Sequence, residues 1–401
     1  FREFLRAYMK TWINDDNNRK PDGSKYNLNT DGLKIYTTIN YSMQEMAENA
    51  VTSHMPRLQK EFFEQNETLD DSIAPFRELT SGAVDTLLRV SMRRSERWRK
   101  MKYDLKKNDE EIEESFYIPK EMTVFSWAGE IDTTMTPLDS MKYYKSFFRP
   151  GMMSMDPTNG YIKAWVGGMN YRHFQYDMVK KGKRQIGSTF KPFVYAAAID
   201  QLKLSPCDTF PDSQFCIEKN KFGNVEQWCP KNSGDKYGRT RTLKNALANS
   251  VNTVTARLMD RIGPHTVVKL AKDLGIEQRI LPVPSIALGT PDLSVYEMVA
   301  AYSTFANKGV YTQPVFIERI DDKNGTTLYK NQPVTRDVLS EEAAYVTVNL
   351  LEGVTRAGSG TRLRTTGADE FNRAYQNVVT GYPYEFTNPI AGKTGTTQNQ
   401  S

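Results

Sequence analysis

Apolar and polar positions alternate along this chain with two periods. Residues 32–40, Gly-Leu-Lys-Ile-Tyr-Thr-Thr-Ile-Asn, alternate in steps of two, the pattern of a half-buried strand. Residues 152–167 read as two strands around Asn159-Gly160. Residues 315–320 and 327–329 read as two more around Asn324-Gly325, and both dipeptides are hairpin signals. Helical spacing appears at Met43, Met46, Ala47, Ala50 and Val51, which predicts a helix over 41–59, with further helix candidates to about 101. Four more helices are expected: over 242–258, 264–274 (ended by Gly275), 293–306 (closed by Asn307-Lys-Gly309) and 341–352. Residues 205–240 and 356–388 read as loops, and 389–397 as a last strand. Strands towards both ends with helices between predict an α+β fold. The chain divides into a linker helix with a polar tail (1–24), a linker or accessory region with its own small sheet and helices (25–150), and a larger unit (151–401).

One segment stands apart. From Phe193 to Ile199 nearly every residue is apolar or Ala, so this helix faces core on most sides. It begins Arg184-Gln-Ile-Gly-Ser188-Thr-Phe-Lys191-Pro, with Ser188 and Lys191 one turn apart on a shared face. A lysine carried into such a helix has two outlets. It can snorkel to solvent behind a capping serine. Or it can lose its proton, and a neutral lysine beside a serine is a general base beside a nucleophile.

Composition narrows the classes. The 401 residues suggest two to three domains, and 39% hydrophobic content supplies a sizeable core. A net charge of +5 gives no argument for nucleic acid. Arg89, Arg93, Arg94, Arg97, Arg99, Lys100 and Lys102 form a basic stripe, followed by an acidic run over 109–114. The stripe is either a contact for an anionic polymer or a solvated face balanced by its acidic neighbour, and the second is expected. The three histidines lie in neither a G-x-S-x-G nor an H-E-x-x-H context. That weighs against a Ser-His-Asp triad or a zinc hydrolase, and no metal or cofactor is expected. No apolar run approaches the roughly 18 residues of a membrane span. The chain starts on Phe1 rather than Met and reads as a fragment of a longer protein. Cys216 and Cys229 are symmetric about the turn signal Phe222-Gly-Asn224. A cross-strand disulfide is expected there in an oxidising compartment, with Cys207 left over. The alternative is three reduced thiols.

Two further motifs complete the picture. Ser188-x-x-Lys191 is followed by Ser250-x-Asn252, the one S-x-N in the chain, and by Lys393-Thr394-Gly395, the one K-T-G. A second S-x-x-K, Ser233 to Lys236, lies in a polar loop with no apolar helix behind it. The three motifs in this order are associated with penicillin-binding proteins and serine β-lactamases.

On these motifs the chain resembles the transpeptidase domain of class A (bifunctional) penicillin-binding proteins, over nearly its whole length. The segments at 31–40, 156–168, 184–192, 296–307 and 392–397 carry the likeness. The resemblance implies the penicillin-binding, serine β-lactamase-like fold, an antiparallel sheet flanked by helices. It implies a D,D-transpeptidase acting on peptidoglycan stem peptides, with a D-Ala-D-Ala donor, an amine acceptor and β-lactams as ligands. It also implies a location outside the bacterial cytoplasmic membrane (the periplasm), an anchor and glycosyltransferase upstream of Phe1, and other cell-wall synthesis proteins as candidate partners. In roles, it implies Ser188 as nucleophile, Lys191 as base, Ser250 as proton relay and Asn252 as holder of the substrate amide and of Lys191. Lys393 would depress the Lys191 pKa and, with Thr394 and Thr396, hold the substrate carboxylate. Gly395 would admit the substrate backbone, and the amides of Ser188 and Thr396 would form the oxyanion hole. The family continues with further strands and a helix beyond the K-T-G strand, so that strand is expected to present an open edge here. A serine β-lactamase and a non-catalytic penicillin-sensing or scaffold module are the alternatives. For the first, the sequence offers no identifiable water-activating base. Against the second stand intact Ser188, Lys191, Ser250 and Lys393.

Overall fold

Helix α1 (Arg2–Trp12) turns Met9 and Trp12 inward, and strand β1 (Lys34–Thr37) leads into α2 (Tyr41–Asn66). A computed structural model describes residues 1–66, 76, 79–364 and 386–397 of the chain. Three short helices follow, α3 (Ser81–Arg93), α4 (Glu96–Arg99) and α5 (Asp109–Glu114). Thr80, Ser95 and Asn108 cap them by accepting from the amides of Ala83, Trp98 and Glu111. Strands β2 (Lys120–Ser126) and β3 (Gly129–Met135) form an antiparallel hairpin, and α6 (Pro137–Lys145) closes this region. The basic stripe meets its acidic neighbour: Arg89 pairs with Glu113 at 3.3 Å and Lys102 with Asp109 at 2.9 Å. Two of the seven basic residues thus pair with the acidic run.

The larger unit begins with the hairpin of β4 (Met152–Met155) and β5 (Ile162–Val166), as predicted. Its turn ends at Gly160, whose φ is 76°. A Cβ there would lie 2.3 Å from the Gln313 carbonyl oxygen, so only glycine fits. Strand β6 (Lys183–Gln185) leads through a 3₁₀ turn to α7 (Lys191–Leu202). Then come β7 (Thr209–Pro211), β8 (Thr240–Thr242), α8 (Leu243–Ala248), α9 (Asn252–Ile262) and α10 (Pro264–Asp273). The chain continues with β9 (Asp292–Ser294), α11 (Val295–Ala306), β10 (Val310–Thr312), β11 (Ile317–Asp321), β12 (Thr327–Lys330), β13 (Thr335–Asp337) and α12 (Glu341–Ala357). Helix α12 runs five residues past the expected end. Gly353 sits inside it because α8 approaches closely: a Cβ there would meet Lys244 Cγ at 3.3 Å.

The fold is α+β, and every pairing between these strands is antiparallel. The largest sheet among the described residues has three strands, ordered β1-β11-β12. Ile35 of β1 faces Ile320 of β11, so the strand read as linker is stitched to the hairpin of the larger unit. Met9 and Trp12 pack with Ile317 and Ile320 in the same cluster, so residues 1–40 share a core with that unit. Helix α7 lies at the centre of the molecule, against α9, α10 and α12. Phe193 to Ile199 are at most 4% exposed, as the apolar run required. Cys216 and Cys229 form the expected disulfide across the Ile217–Trp228 bridge, and Cys207 is free and exposed. Among the described residues no helix is long and apolar enough to cross a membrane.

The segment 389–397 departs from expectation. Its residues join no ladder among the described residues. It is held instead along α12, where Gly392 N donates to the Leu351 carbonyl (3.3 Å) and Thr355 Oγ1 to that of Ile390 (2.7 Å). Sequence alternation specifies a strand only where a neighbour supplies the ladder. Of the expected loop over 356–388, residues 365–385 lie outside the described residues.

Candidate active site

The site is built on the turn that feeds α7. Gly187 to Phe190 form a 3₁₀ turn, and α7 proper starts at Lys191. Ser188 therefore sits one turn before the α-helix rather than at its first residue. Gly187 has φ 54° and donates its amide to the Gly289 carbonyl at 2.9 Å. Tyr302 of α11 ties the same turn down by donating its hydroxyl to the Thr189 carbonyl at 2.6 Å. Ser188 is half-buried, and its hydroxyl has no hydrogen-bond partner among the described residues.

Lys191 is 0% exposed. Its Nζ donates to the Ser250 carbonyl (2.5 Å), Ser250 Oγ (3.1 Å) and Asn252 Oδ1 (2.6 Å). Among the described residues Lys191 makes no hydrogen bond to Ser188. Three acceptors on the neighbouring loop take the full donor capacity of an ammonium. In enzymes without bound substrate, catalytic hydrogen bonds are often long and tighten later.

Those acceptors owe their position to how α8 ends. Val251 N donates to the Ala246 carbonyl (2.9 Å) and Ser250 N to that of Leu247 (3.1 Å), the paired bonds of a Schellman close. The left-handed position of that motif usually holds glycine. Here it holds Ser250, with φ 56°. A side chain there costs on the order of 1–3 kcal/mol. The conformation turns both the carbonyl and the hydroxyl of Ser250 towards Lys191. Asn252 then opens α9. Its Nδ2 is held by the Lys231 carbonyl at 2.6 Å, which fixes Oδ1 towards Lys191. Both ends of its amide are thus engaged, and Nδ2 keeps a second N–H beyond that bond.

The third motif closes the site. Lys393 Nζ donates to Ser250 Oγ at 3.1 Å and to the Thr394 carbonyl at 2.9 Å. Two lysines therefore converge on one serine hydroxyl. The segment lies against the Gly187–Phe190 turn. A Cβ on Gly395 would fall 2.8 Å from Thr189 Cγ2, and one on Gly187 would fall 2.3 Å from the Thr396 carbonyl oxygen. Glycine at both positions permits the approach. Thr394 and Thr396 are exposed beside it. Neither the Ser188 nor the Thr396 amide has a hydrogen-bond partner among the described residues.

The electrostatics follow from burial. Desolvation, and then repulsion from Lys393, hold the Lys191 pKa well below the ordinary lysine range. Burial lowers Lys393 to about 8. Both nitrogens therefore release their protons more readily than an ordinary lysine does. Among the described residues no group of three or more His, Cys, Asp or Glu could hold a metal ion.

The structure thus brings Ser188, Lys191, Ser250, Asn252, Lys393, Thr394, Gly395 and Thr396 to one place. Sequence reasoning missed several neighbours. Ser359 shares a hydroxyl–hydroxyl hydrogen bond with Thr394. Tyr302 anchors the turn that carries Ser188, and Asn232 and Asp212 stand behind Asn252. Tyr302 lies in the 296–307 segment but was given no role there, while Ser359, Asn232 and Asp212 lie in no motif, and long-range contacts of this kind leave no local pattern.

Comparison with known proteins identifies the family. Residues 150–401 match the family model described as the penicillin binding protein transpeptidase domain, and residues 71–148 match the penicillin-binding protein middle domain. Penicillin-binding protein 1A of Aquifex aeolicus is 33% identical over 250 residues, which is 62% of this chain and 31% of that protein. Penicillin-binding protein 2D of Bacillus subtilis is 33% identical over 252 residues, 63% of this chain and 34% of that protein. The matches thus span about a third of the length of these curated relatives. The crystal structure of penicillin-binding protein 1A from Haemophilus influenzae superposes with a TM-score of 0.61 at 20% identity, covering 92% of this chain and 61% of that one. At that identity the superposition speaks for the fold.

Proposed function

The chain belongs to the penicillin-binding protein transpeptidase family, and from that premise we propose that it carries a D,D-transpeptidase centre that cross-links peptidoglycan stem peptides. The observation that carries the reading is the Ser250 hydroxyl bridging Lys191 and Lys393, together with a Ser188 hydroxyl that has no hydrogen-bond partner among the described residues.

In the proposed reaction Ser188 Oγ attacks the carbonyl of a terminal D-Ala-D-Ala bond, and Lys191 takes the hydroxyl proton. The amides of Ser188 and Thr396 stabilise the oxyanion. Ser250, in contact with both lysines, passes a proton to the leaving D-Ala amine. Lys393, Thr394 and Thr396 hold the donor's terminal carboxylate, while Gly395 leaves room for its backbone. Asn252 keeps Lys191 in place through Oδ1 and offers its second Nδ2–H to the substrate amide. An amine of a neighbouring stem then attacks the acyl-enzyme. β-Lactams would acylate the same serine. The proposed setting is the extracytoplasmic face of the bacterial cytoplasmic membrane, where the Cys216–Cys229 disulfide would persist. We keep the division at 24/25 and 150/151 as a proposal, supported at the second point by the two family matches meeting there.

The test is a fluorescent penicillin followed by peptide mapping. The expected adduct lies on Ser188, and an adduct elsewhere, or none, rejects the reading. The pH profile supplies a second test. Acylation should rise with pH as Lys191 loses its proton, then fall above about pH 8 as Lys393 loses the charge that holds the carboxylate. A penicillin ester has no carboxylate to hold, so its profile should lack the falling limb. A falling limb of equal depth for both compounds would remove Lys393 from the carboxylate site.

A further inference from the structure

Behind Asn252 stands a carboxylate that the proposed mechanism does not use. Asp212 is 0% exposed. Burial opposes its charge, yet its pKa lies below the ordinary aspartate value, because four donors converge on it. Arg241 Nε (2.6 Å) and Gly238 N (3.0 Å) donate to Oδ2. Asn232 Nδ2 (2.7 Å) and Thr253 Oγ1 (2.8 Å) donate to Oδ1. Asn232 also donates to the Lys236 carbonyl (3.0 Å), so its Nδ2 is spent and its Oδ1 must face the other way.

That oxygen accepts from the amides of Asn252 (3.0 Å) and Thr253 (3.1 Å), the first two of α9. Helix α9 needs this, since its N-cap is Val251, which has no capping side chain. Lys231, the residue before Asn232, supplies the carbonyl that holds Asn252 Nδ2. One two-residue step of loop therefore grips Asn252 by backbone and by side chain. The remaining atom of that side chain, Oδ1, meets Lys191.

We propose that Asp212 and Asn232 are positioning residues that hold Asn252, and through it Lys191, in the arrangement needed for proton transfer. The proposal rests on the reading of Lys191 as general base. The chain of contacts runs without a gap from the buried carboxylate to the lysine nitrogen, and each amide in it has one orientation that satisfies its neighbours. If the loop were merely stapled to the core, the same bonds could end on any helix. They end on the one helix whose first side chain touches Lys191.

The test uses Asn232→Ala, Asn232→Asp and Asp212→Asn. Asn232→Asp keeps an acceptor for the α9 amides and removes the donor to Asp212, and Asp212→Asn preserves shape without charge, so the set does not depend on one variant folding. Two quantities are read on folded protein: the second-order rate of acylation by a fluorescent penicillin across pH, and the titration of Lys191 by ¹³Cε-lysine NMR without β-lactam. Acylation should slow on the order of 10- to 100-fold, the scale of a displaced catalytic group, and the Lys191 midpoint should move. A lowered melting temperature with both readouts at wild-type values assigns the pair a structural role alone and overturns the proposal. If the wild type forms no adduct, the transpeptidase reading fails separately. The NMR titration still decides the relay: a displaced midpoint upholds it and an unchanged one rejects it.

Discussion

Ser188→Ala should abolish covalent penicillin labelling while leaving the protein as stable as before. The two halves of this expectation have separate causes. The Ser188 hydroxyl makes no hydrogen bond among the described residues, and the side chain is half-buried in a 3₁₀ turn. Removing it therefore breaks nothing in the fold, and a change within about 0.5 kcal/mol is expected. The turn is held instead by the Gly187–Gly289 and Tyr302–Thr189 bonds, which the variant keeps. An alanine has no atom that can form an acyl bond, so labelling should fall to background rather than by a factor. Thermal melting and in-gel fluorescence on the same samples check both halves. Residual labelling in the folded variant would identify another nucleophile.

Lys191→Met should give the second large effect, a loss of acylation on the order of 10²–10⁴, the usual range for removing a general base. Stability should hardly change. The wild-type chain bears the cost of burying an amine, which the variant escapes. The variant leaves the Ser250 carbonyl and Asn252 Oδ1 without their donor, at about 1–3 kcal/mol. The two nearly offset. The pH dependence of stability is the sharper readout. An unfolded lysine keeps its proton to about pH 10.4, whereas the folded protein surrenders that of Lys191 earlier. Between those two points the unfolded state binds more protons, so wild-type stability rises with pH. Lys191→Met should lose that part of the rise and retain the part from Lys393, which begins near pH 8. Chemical denaturation at neutral and alkaline pH measures the difference. An identical slope in both proteins would mean that Lys191 is not held deprotonated.

Much of this molecule is written locally. The apolar run of α7 requires burial whatever surrounds it, because seven consecutive side chains have no polar face to offer water. Asn159-Gly160 and Asn324-Gly325 specify their hairpins through backbone conformations that few residues adopt. Two cysteines placed evenly about a turn suggested the disulfide but left three reduced thiols open, and the fold decided between them. The motif residues were legible because each string joins a chemical group to a recognisable backbone setting.

Other features were decided in three dimensions. The α8 close puts Ser250 in a left-handed conformation where local rules call for glycine, and only convergence with two lysines accounts for it. Residues 389–397 carry a strand pattern yet join no ladder among the described residues, since a ladder needs a neighbour that periodicity cannot supply. Asp212 and Asn232 belong to no motif, and their meaning comes from contacts that span 20 to 41 residues. The sequence by itself therefore determined which groups could do chemistry, because reactivity belongs to residue type and immediate backbone. The tertiary structure decided which partner each group faces. It turned Lys191 to Ser250 and Asn252 rather than to Ser188, because hydrogen bonds and desolvation are set by whatever the fold brings within about 3 Å.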